Sequence, residues 1–153
     1  MSTVDGRFRS AARAYLLYGI VYWIGGLYML GQGVGVMGAM EGRRGTSIAF
    51  WGLAGLVPLL LIPYLLQARR RWFERWLLSR RDFARLVAVL LAFRAWKVGQ
   101  VALARDGGVV AAPWGGMVTF QAGAALFLVV TVIALAAVAR AAWGDRSEAP
   151  NGA

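Results

Sequence analysis

The sequence predicts an all-α integral membrane protein: a four-transmembrane-helix bundle with an amphipathic, basic cytoplasmic connector between spans 2 and 3. Three observations predict this fold class. Of the 153 residues, 59% are hydrophobic and 16% are charged, whereas soluble domains average roughly 45 to 50% and about 25%. Four long stretches are almost without charge, and most basic residues lie between or beside them. We expect one four-span domain over residues 1–140 and a disordered cytoplasmic tail over residues 141–153.

The first two spans are expected at about residues 14–36 and 47–67. Residues 14–40 carry no charged side chain, and this run is far longer than the roughly 7 to 15 apolar residues of a cleaved signal peptide. We therefore expect a retained span that follows a short polar leader. Its helix is expected to end or loosen where glycines gather from Gly31 onward.

Tyr15, Tyr18 and Tyr22 recur at helical spacing in the first span. Tyrosine is enriched at membrane–water interfaces, so one interpretation is an interfacial aromatic belt. The alternative is a groove lined by tyrosines that takes a ligand. The spacing fits both interpretations.

The third and fourth spans are expected at about residues 83–104 and 117–139. The third span holds charge in its interior, at Arg94 and Lys97. At 1.5 Å per residue, Arg94 lies roughly 17 Å into the span, near the middle of the bilayer. Lys97 is closer to the end of the span, so its stem can reach the interface. The candidate binding residues are Arg94, Lys97, Gln100 and Gln121.

Arg94 needs a compensating partner, because an arginine at the bilayer centre costs about 2.5 to 3.5 kcal/mol on insertion scales. None of the predicted spans offers an Asp or Glu beside it. The compensation can come from polar groups of this chain, such as Gln121, Tyr22 or carbonyls near Pro58, or from deep water or a lipid phosphate. It can also come from an acid on a partner helix, or from a bound anion.

The connector, residues 68–85, carries seven arginines against two acids. Its aromatic residues recur one helical turn apart, and arginines occupy other positions of the same turns. A helix with these two faces is suited to lie in the lipid head-group layer. We predict that the connector binds anionic lipids. The residues involved are Arg69, Arg70, Arg71, Arg75, Arg80, Arg81, Trp72 and Trp76.

The distribution of basic residues predicts the orientation. Twelve basic residues lie in the leader, the connector and the tail, against three in the two loops on the other side. Because cytoplasmic loops carry the excess of Lys and Arg, both termini and the connector are expected to be cytoplasmic. We expect a multi-pass protein of a bacterial inner membrane.

The residue types that are missing exclude most catalytic chemistry. The chain has no Cys and no His, so it offers no thiolate nucleophile, imidazole base or histidine ligand. Its seven acidic residues are scattered, and no GxxxxGK[ST], HExxH, GxSxG or CxxC pattern occurs. We expect no enzyme activity, no metal site and no cofactor. Nucleic acid is not an expected partner either, because the arginines flank membrane spans.

Three functions fit these observations. The first is a non-catalytic membrane subunit or scaffold that packs against a partner membrane protein or against itself, as a homo-oligomer, through the small-residue faces of its first and last spans. The second is a small transporter or channel for an anionic solute that uses Arg94, Lys97 and Gln100. The third is a lipid-handling enzyme or flippase-like factor that acts through the connector, and the missing bases and nucleophiles disfavour it.

Overall fold

The computed structural model describes residues 3–32, 46–67, 79–103 and 108–144. Over these ranges the chain is mostly helical, with one short antiparallel β-hairpin. The elements are α1 Thr3–Gly31, α2 Thr46–Gln67, α3 Arg80–Leu103, β1 Val109–Ala111, β2 Met117–Thr119 and α4 Phe120–Trp143.

Three of the described helices are long and apolar enough to cross a membrane: α1, from Val4 onward, α3 and α4. α2 contains a shorter apolar helical segment, Gly52–Gln67, among the described side chains. The chain therefore has the helices of a membrane protein, with three candidate spans in its described part. A fourth span at residues 47–67 stays a prediction.

The helices form an arc in the order α2, α1, α4, α3. α1 packs against α2 and α4, and α4 packs against α3, whereas α2 and α3 touch little. The beginnings of α1 and α3 and the ends of α2 and α4 meet at one end of the bundle, which we call the Arg80 end. The hairpin lies at the other end, which we call the hairpin end.

Small side chains pack α1, α3 and α4 together at the Arg80 end. Lipid tails are as apolar as leucine, so helices in a membrane associate through close packing of small residues rather than through the hydrophobic effect. This packing also buries Val87 and Val138 almost completely. The buried alanines are Ala11, Ala12, Ala84, Ala88, Ala134, Ala141 and Ala142.

α1 begins at Thr3, well before the predicted start of the first span. Residues 3–13, expected as a polar leader, belong to the same helix because they carry an apolar stripe. Phe8, Ala11 and Ala12 lie at i, i+3 and i+4, and all three are buried. Arg7, Arg9 and Arg13, which surround them, mask this stripe in the composition of the segment.

α4 also extends past its predicted boundary. It begins at Phe120 and ends at Trp143, with Gly144 as its C-cap. The start of the expected disordered tail is therefore corrected, because Ala141 and Ala142 are buried in the helix core. The rest of the tail, residues 145–153, lies outside the described residues.

The hairpin departs from the all-α expectation. Val109 pairs with Thr119, and Ala111 pairs with Met117. The turn between them uses Gly115 and Gly116 at φ of +91° and +87°, a region that only glycine occupies readily. Glycine at the turn and branched or long apolar residues in the strands favour a hairpin over an early start of α4.

Candidate functional site: a cavity lined by aromatic rings and two cations

A cavity of about 820 Å³ lies between the four helices and the hairpin. Most of its described lining is apolar or aromatic. Arg94 and Lys97 are the charged side chains among the described residues that line it. The aromatic lining residues are Tyr15, Tyr18, Tyr22, Trp23, Tyr28, Trp114, Phe120 and Phe127.

A ladder of aromatic rings runs along α1 beside the cavity and ends on α4. Tyr15 and Tyr18 have ring centroids 5.4 Å apart, Tyr18 and Tyr22 4.5 Å apart, and Tyr22 and Phe127 4.8 Å apart. These tilted arrangements are favourable for aromatic pairs. Small alanines therefore pack the helices at the Arg80 end, whereas large aromatic rings line the cavity further along.

Tyr22 is fixed in place by a hydrogen bond across the bundle. Its hydroxyl lies 2.9 Å from Oγ1 of Thr131, and that Oγ1 donates to the carbonyl of Phe127 at 2.6 Å. A threonine hydroxyl has one hydrogen to donate, so Tyr22 is the donor in the first bond. Thr131 is fully buried.

Arg94 reaches across the cavity to α1. Its Cζ atom lies 4.9 Å from the centroid of the Tyr22 ring, within the range of a cation–π interaction. Lys97 follows one turn later on α3, and its Nζ lies 5.9 Å from the centroid of the Phe93 ring. Both cations therefore contact the faces of aromatic rings.

The described carboxylates lie elsewhere. Asp5 pairs with Arg80 at 3.4 Å, and Asp82 pairs with Arg85 at 2.9 Å. Among the residues that the structure describes, Arg94 and the neighbouring lysine thus have no carboxylate partner. The cavity therefore holds two formal positive charges whose described neighbours are aromatic and aliphatic.

The Arg80 end is closed by contacts that join all four helices. Arg80 donates from Nε to the carbonyl of Leu66 at 2.7 Å, and its guanidinium lies 4.0 Å from the centroid of the Phe8 ring. Its side chain is only 13% exposed. Arg81 donates to the carbonyl of Gly144 at 3.5 Å. This end forms the fixed base of the bundle, below the cavity.

Arg94 lies about halfway along the bundle. It follows Arg80 by fourteen residues, or about 21 Å of helix, and α3 as a whole is about 36 Å long. Tyr18 and Tyr22 lie at similar heights on α1, about 20 and 26 Å beyond Asp5. The depth of Arg94 in a bilayer stays a prediction from the sequence.

The hairpin covers the opposite end of the cavity. The Tyr28 hydroxyl donates to the carbonyl of Ala111 at 2.6 Å, which joins α1 to β1. The amide of Phe120 donates to the carbonyl of Gly108 at 2.9 Å, so the base of the hairpin is closed. Trp114, near the hairpin turn, lines the cavity and is 81% exposed.

The structure separates the predicted site residues. Arg94 and Lys97 line the cavity together, whereas Gln100 and Gln121 are not among its lining residues. Of the connector residues, Arg80 and Arg81 lie at the other end of the bundle. The remaining predicted connector residues, Arg69, Arg70, Arg71, Trp72, Arg75 and Trp76, lie outside the described residues.

The binding site predicted from the sequence does not include the aromatic residues that line the cavity. The spacing of Tyr15, Tyr18 and Tyr22 offers a signal for it, as the tyrosine-lined groove that competes with an interfacial belt. Tyr28 and Phe127 carry no comparable signal, because their role depends on contacts far apart in the chain. Over the described ranges, no group of His, Cys, Asp and Glu could hold a metal ion.

Comparison of the chain with protein-family models, with curated proteins and with solved structures finds no match.

Proposed function

We propose that this membrane protein binds an anionic amphiphile, an organic molecule with one acidic group and an apolar body, in the cavity beside Arg94 and Lys97. One observation supports the proposal: two cations without a described carboxylate partner face a cavity whose other walls are apolar and aromatic. The volume of about 820 Å³ is in the range of small-molecule sites, about 300 to 1,000 Å³.

The charge of the site favours an anion. A guanidinium offers a planar fork of donors that suits carboxylate or phosphate, and an ammonium adds three more donors. The Tyr22 ring compensates only part of the cost of holding Arg94 in a membrane, since a cation–π contact is worth about 0.5 to 2 kcal/mol and the insertion cost is about 2.5 to 3.5 kcal/mol. A bound anion supplies the remainder through charge-assisted hydrogen bonds.

The proposal takes up the anionic-solute alternative, with Arg94 and Lys97 as binding residues and with aromatic walls in place of Gln100. The scaffold hypothesis also stays a prediction. It needs an apolar surface for a partner, and the exposed apolar side chains of α2 and α3, such as Leu60 and Phe93, are equally explained by contact with lipid tails.

We further propose four spans, with α2 as the second, and a cytoplasmic Arg80 end in a bacterial inner membrane. Asp5, Leu66, Arg80 and Gly144 lie at the same end of the bundle, which supports a common side for both termini and the connector. The twelve-to-three count of basic residues supports the cytoplasm as that side. Binding of anionic lipid by the connector belongs to the same proposal.

Thermal unfolding in a neutral detergent tests the function. Dodecanoate and dodecyl phosphate are compared with dodecanol and dodecyltrimethylammonium, all below their micelle-forming concentrations. Because a ligand stabilises the state that binds it, by about 2.7 kcal/mol at a hundred times its Kd, the anions are expected to raise the midpoint temperature. The alcohol and the cation are expected to do so far less.

Variants locate the effect. Arg94→Met and Lys97→Met should each reduce the anion response, and the double variant should abolish it. Arg13→Met is the matched control, because Arg13 is an exposed arginine of α1 that does not line the cavity. Equal stabilisation by all four amphiphiles, or an undiminished response of the double variant, would overturn the proposal.

A further inference from the structure

We infer that the ligand is a single-chain anionic amphiphile bound with its head inward: the acidic group lies beside Arg94 and Lys97, halfway through the bundle, and the chain extends towards the hairpin. The inference rests on the proposed function. It adds the orientation of the ligand and the number of its hydrocarbon chains. Its basis is the order of charged and apolar side chains along the cavity.

The charged part of the cavity lies nearer to the Arg80 end. Along α3, Arg94 lies about 21 Å from Arg80, Lys97 about 26 Å and Val101 about 32 Å. The described lining at the height of Val101 and beyond carries no charged side chain and is mostly apolar, with Leu30, Trp114 and Val118 beside the hydroxyls of Tyr28 and Thr119. Residues 108–119 contain no ionisable side chain, so the described hairpin offers no charge for an acidic head.

The hydrocarbon chain of the ligand has no comparable path towards the Arg80 end. Below the height of Arg94 the lining includes Tyr15 and Leu59, which are 9% and 6% exposed. Beneath them lie the alanine packing and the contacts of Arg80. Within the described part of the protein, the apolar length of the cavity therefore runs from Arg94 to the hairpin.

The volume fits a ligand with a single hydrocarbon chain. About 820 Å³ matches sites for drug-sized molecules, about 300 to 1,000 Å³, and a two-chain membrane lipid is considerably larger than such molecules. A long-chain carboxylate, or a phosphate or sulfate monoester of a single chain, has the required shape. These ligands share one acidic head and one apolar chain.

Two glycines lie beside the proposed path of the hydrocarbon chain. Gly26 lies one turn beyond Tyr22, and Gly123 lies one turn from Phe127 towards the hairpin, so both are at about the height of Val101, roughly 30 Å from the Arg80 end. Both line the cavity. A Cβ at either position would meet no atom within 4 Å. A methyl group there meets no neighbour, and a larger side chain is expected to extend into the cavity.

The test measures affinity for a series of straight-chain carboxylates of increasing length. For the wild-type protein, with affinity referred to the free carboxylate concentration in water, we expect about fourfold tighter binding for each added methylene, up to a limiting length above which affinity stays constant. For Gly26→Leu and Gly123→Leu we expect a shorter limiting length and unchanged affinity for the shortest members. Gly26→Ala and Gly123→Ala add a smaller group and should give limiting lengths between those of the wild type and the leucine variants. They replace a leucine variant that fails to fold.

Gly99→Leu is the matched control. A Cβ at Gly99 also meets nothing within 4 Å, and this glycine of α3 does not line the cavity. It should keep the wild-type length profile. An unchanged profile in both the Gly26 and Gly123 variants, or an equal loss of affinity at every chain length, would overturn the inferred pose.

The outcome separates the two proposals. If carboxylates do not bind the wild-type protein, or bind Arg94→Met equally well, the proposed function fails. If binding depends on Arg94, and Gly26→Leu and Gly123→Leu keep the wild-type limiting length, the proposed function stands and the head-inward pose fails.

Discussion

The Arg94 guanidinium lies 4.9 Å from the centre of the Tyr22 ring and so connects α3 to α1 across the cavity. Tyr22 uses its two parts for different partners, the ring face for Arg94 and the hydroxyl for Thr131. The residue that lies beside the Arg94 guanidinium is thus itself anchored to α4. The two contacts can be removed separately.

Tyr22→Phe removes the hydrogen bond and keeps the ring. We expect it to lower the free energy of unfolding by about 0.5 to 1.5 kcal/mol, with anion binding close to wild type. Tyr22→Leu also removes the ring and should cost about 0.5 to 2 kcal/mol more. Denaturant titration in mixed micelles measures both values. Equal stability of the two variants would show that Arg94 gains nothing from the ring.

Gly25 and Gly26 are neighbours in sequence with opposite surroundings. A Cβ at Gly25 would overlap the ring of Phe127, whereas one at Gly26 would meet nothing within 4 Å. Gly25→Ala should therefore destabilise the protein by about 1 to 3 kcal/mol through overpacking. Gly26→Ala should be neutral, or stabilising by up to about 1 kcal/mol through helix propensity. Thermal unfolding compares the pair, and similar midpoints would contradict the packing of Phe127 against α1.

Arg80 and Arg85 provide a second matched pair. Arg80 is mostly buried and bonds the carbonyl of Leu66, whereas the pair of Arg85 with Asp82 is about half exposed. Arg80→Gln should cost about 1.5 to 3 kcal/mol, the usual value of a hydrogen bond from a charged group. Arg85→Gln should cost less than about 1 kcal/mol, as expected for a surface ion pair. The reverse order of the two losses would show that Arg80 does not hold the base of the bundle.

The orientation can be measured with single cysteines, since the chain has none of its own. Gln67→Cys places a thiol at the Arg80 end, and Trp114→Cys places one near the exposed hairpin turn. In intact cells, a membrane-impermeant maleimide should label Trp114→Cys and should reach Gln67→Cys only after lysis. Labelling of Gln67→Cys before lysis would reverse the proposed topology.

The sequence predicts the helices well because each is a long apolar run, and it predicts the height of Arg94 along its helix because that height follows from counting residues. It does not predict the helical leader, where Arg7, Arg9 and Arg13 surround the stripe of Phe8, Ala11 and Ala12. It also does not predict the hairpin, which depends on positive φ at two glycines.

The site is only partly predictable for a geometric reason. Arg94, Lys97 and Gln100 are close in sequence, but each residue turns the helix by about 100°, so Gln100 lies about 120° around the axis from Arg94. The cavity wall instead comes from distant parts of the chain. Tyr22 and Phe127, for example, pack against each other from α1 and α4, and no spacing rule connects them.

The alanine packing at the Arg80 end has a mechanical consequence. Helices that are fixed together at one end move mainly by tilting about that end, and the displacement grows with distance from it. The hairpin end is therefore expected to take up most of any change in helix tilt, while the contacts of Arg80 change little. A ligand bound in the proposed pose, with its hydrocarbon chain beside Gly26 and Gly123, would lie far from that base and would oppose an inward tilt of α1 and α4.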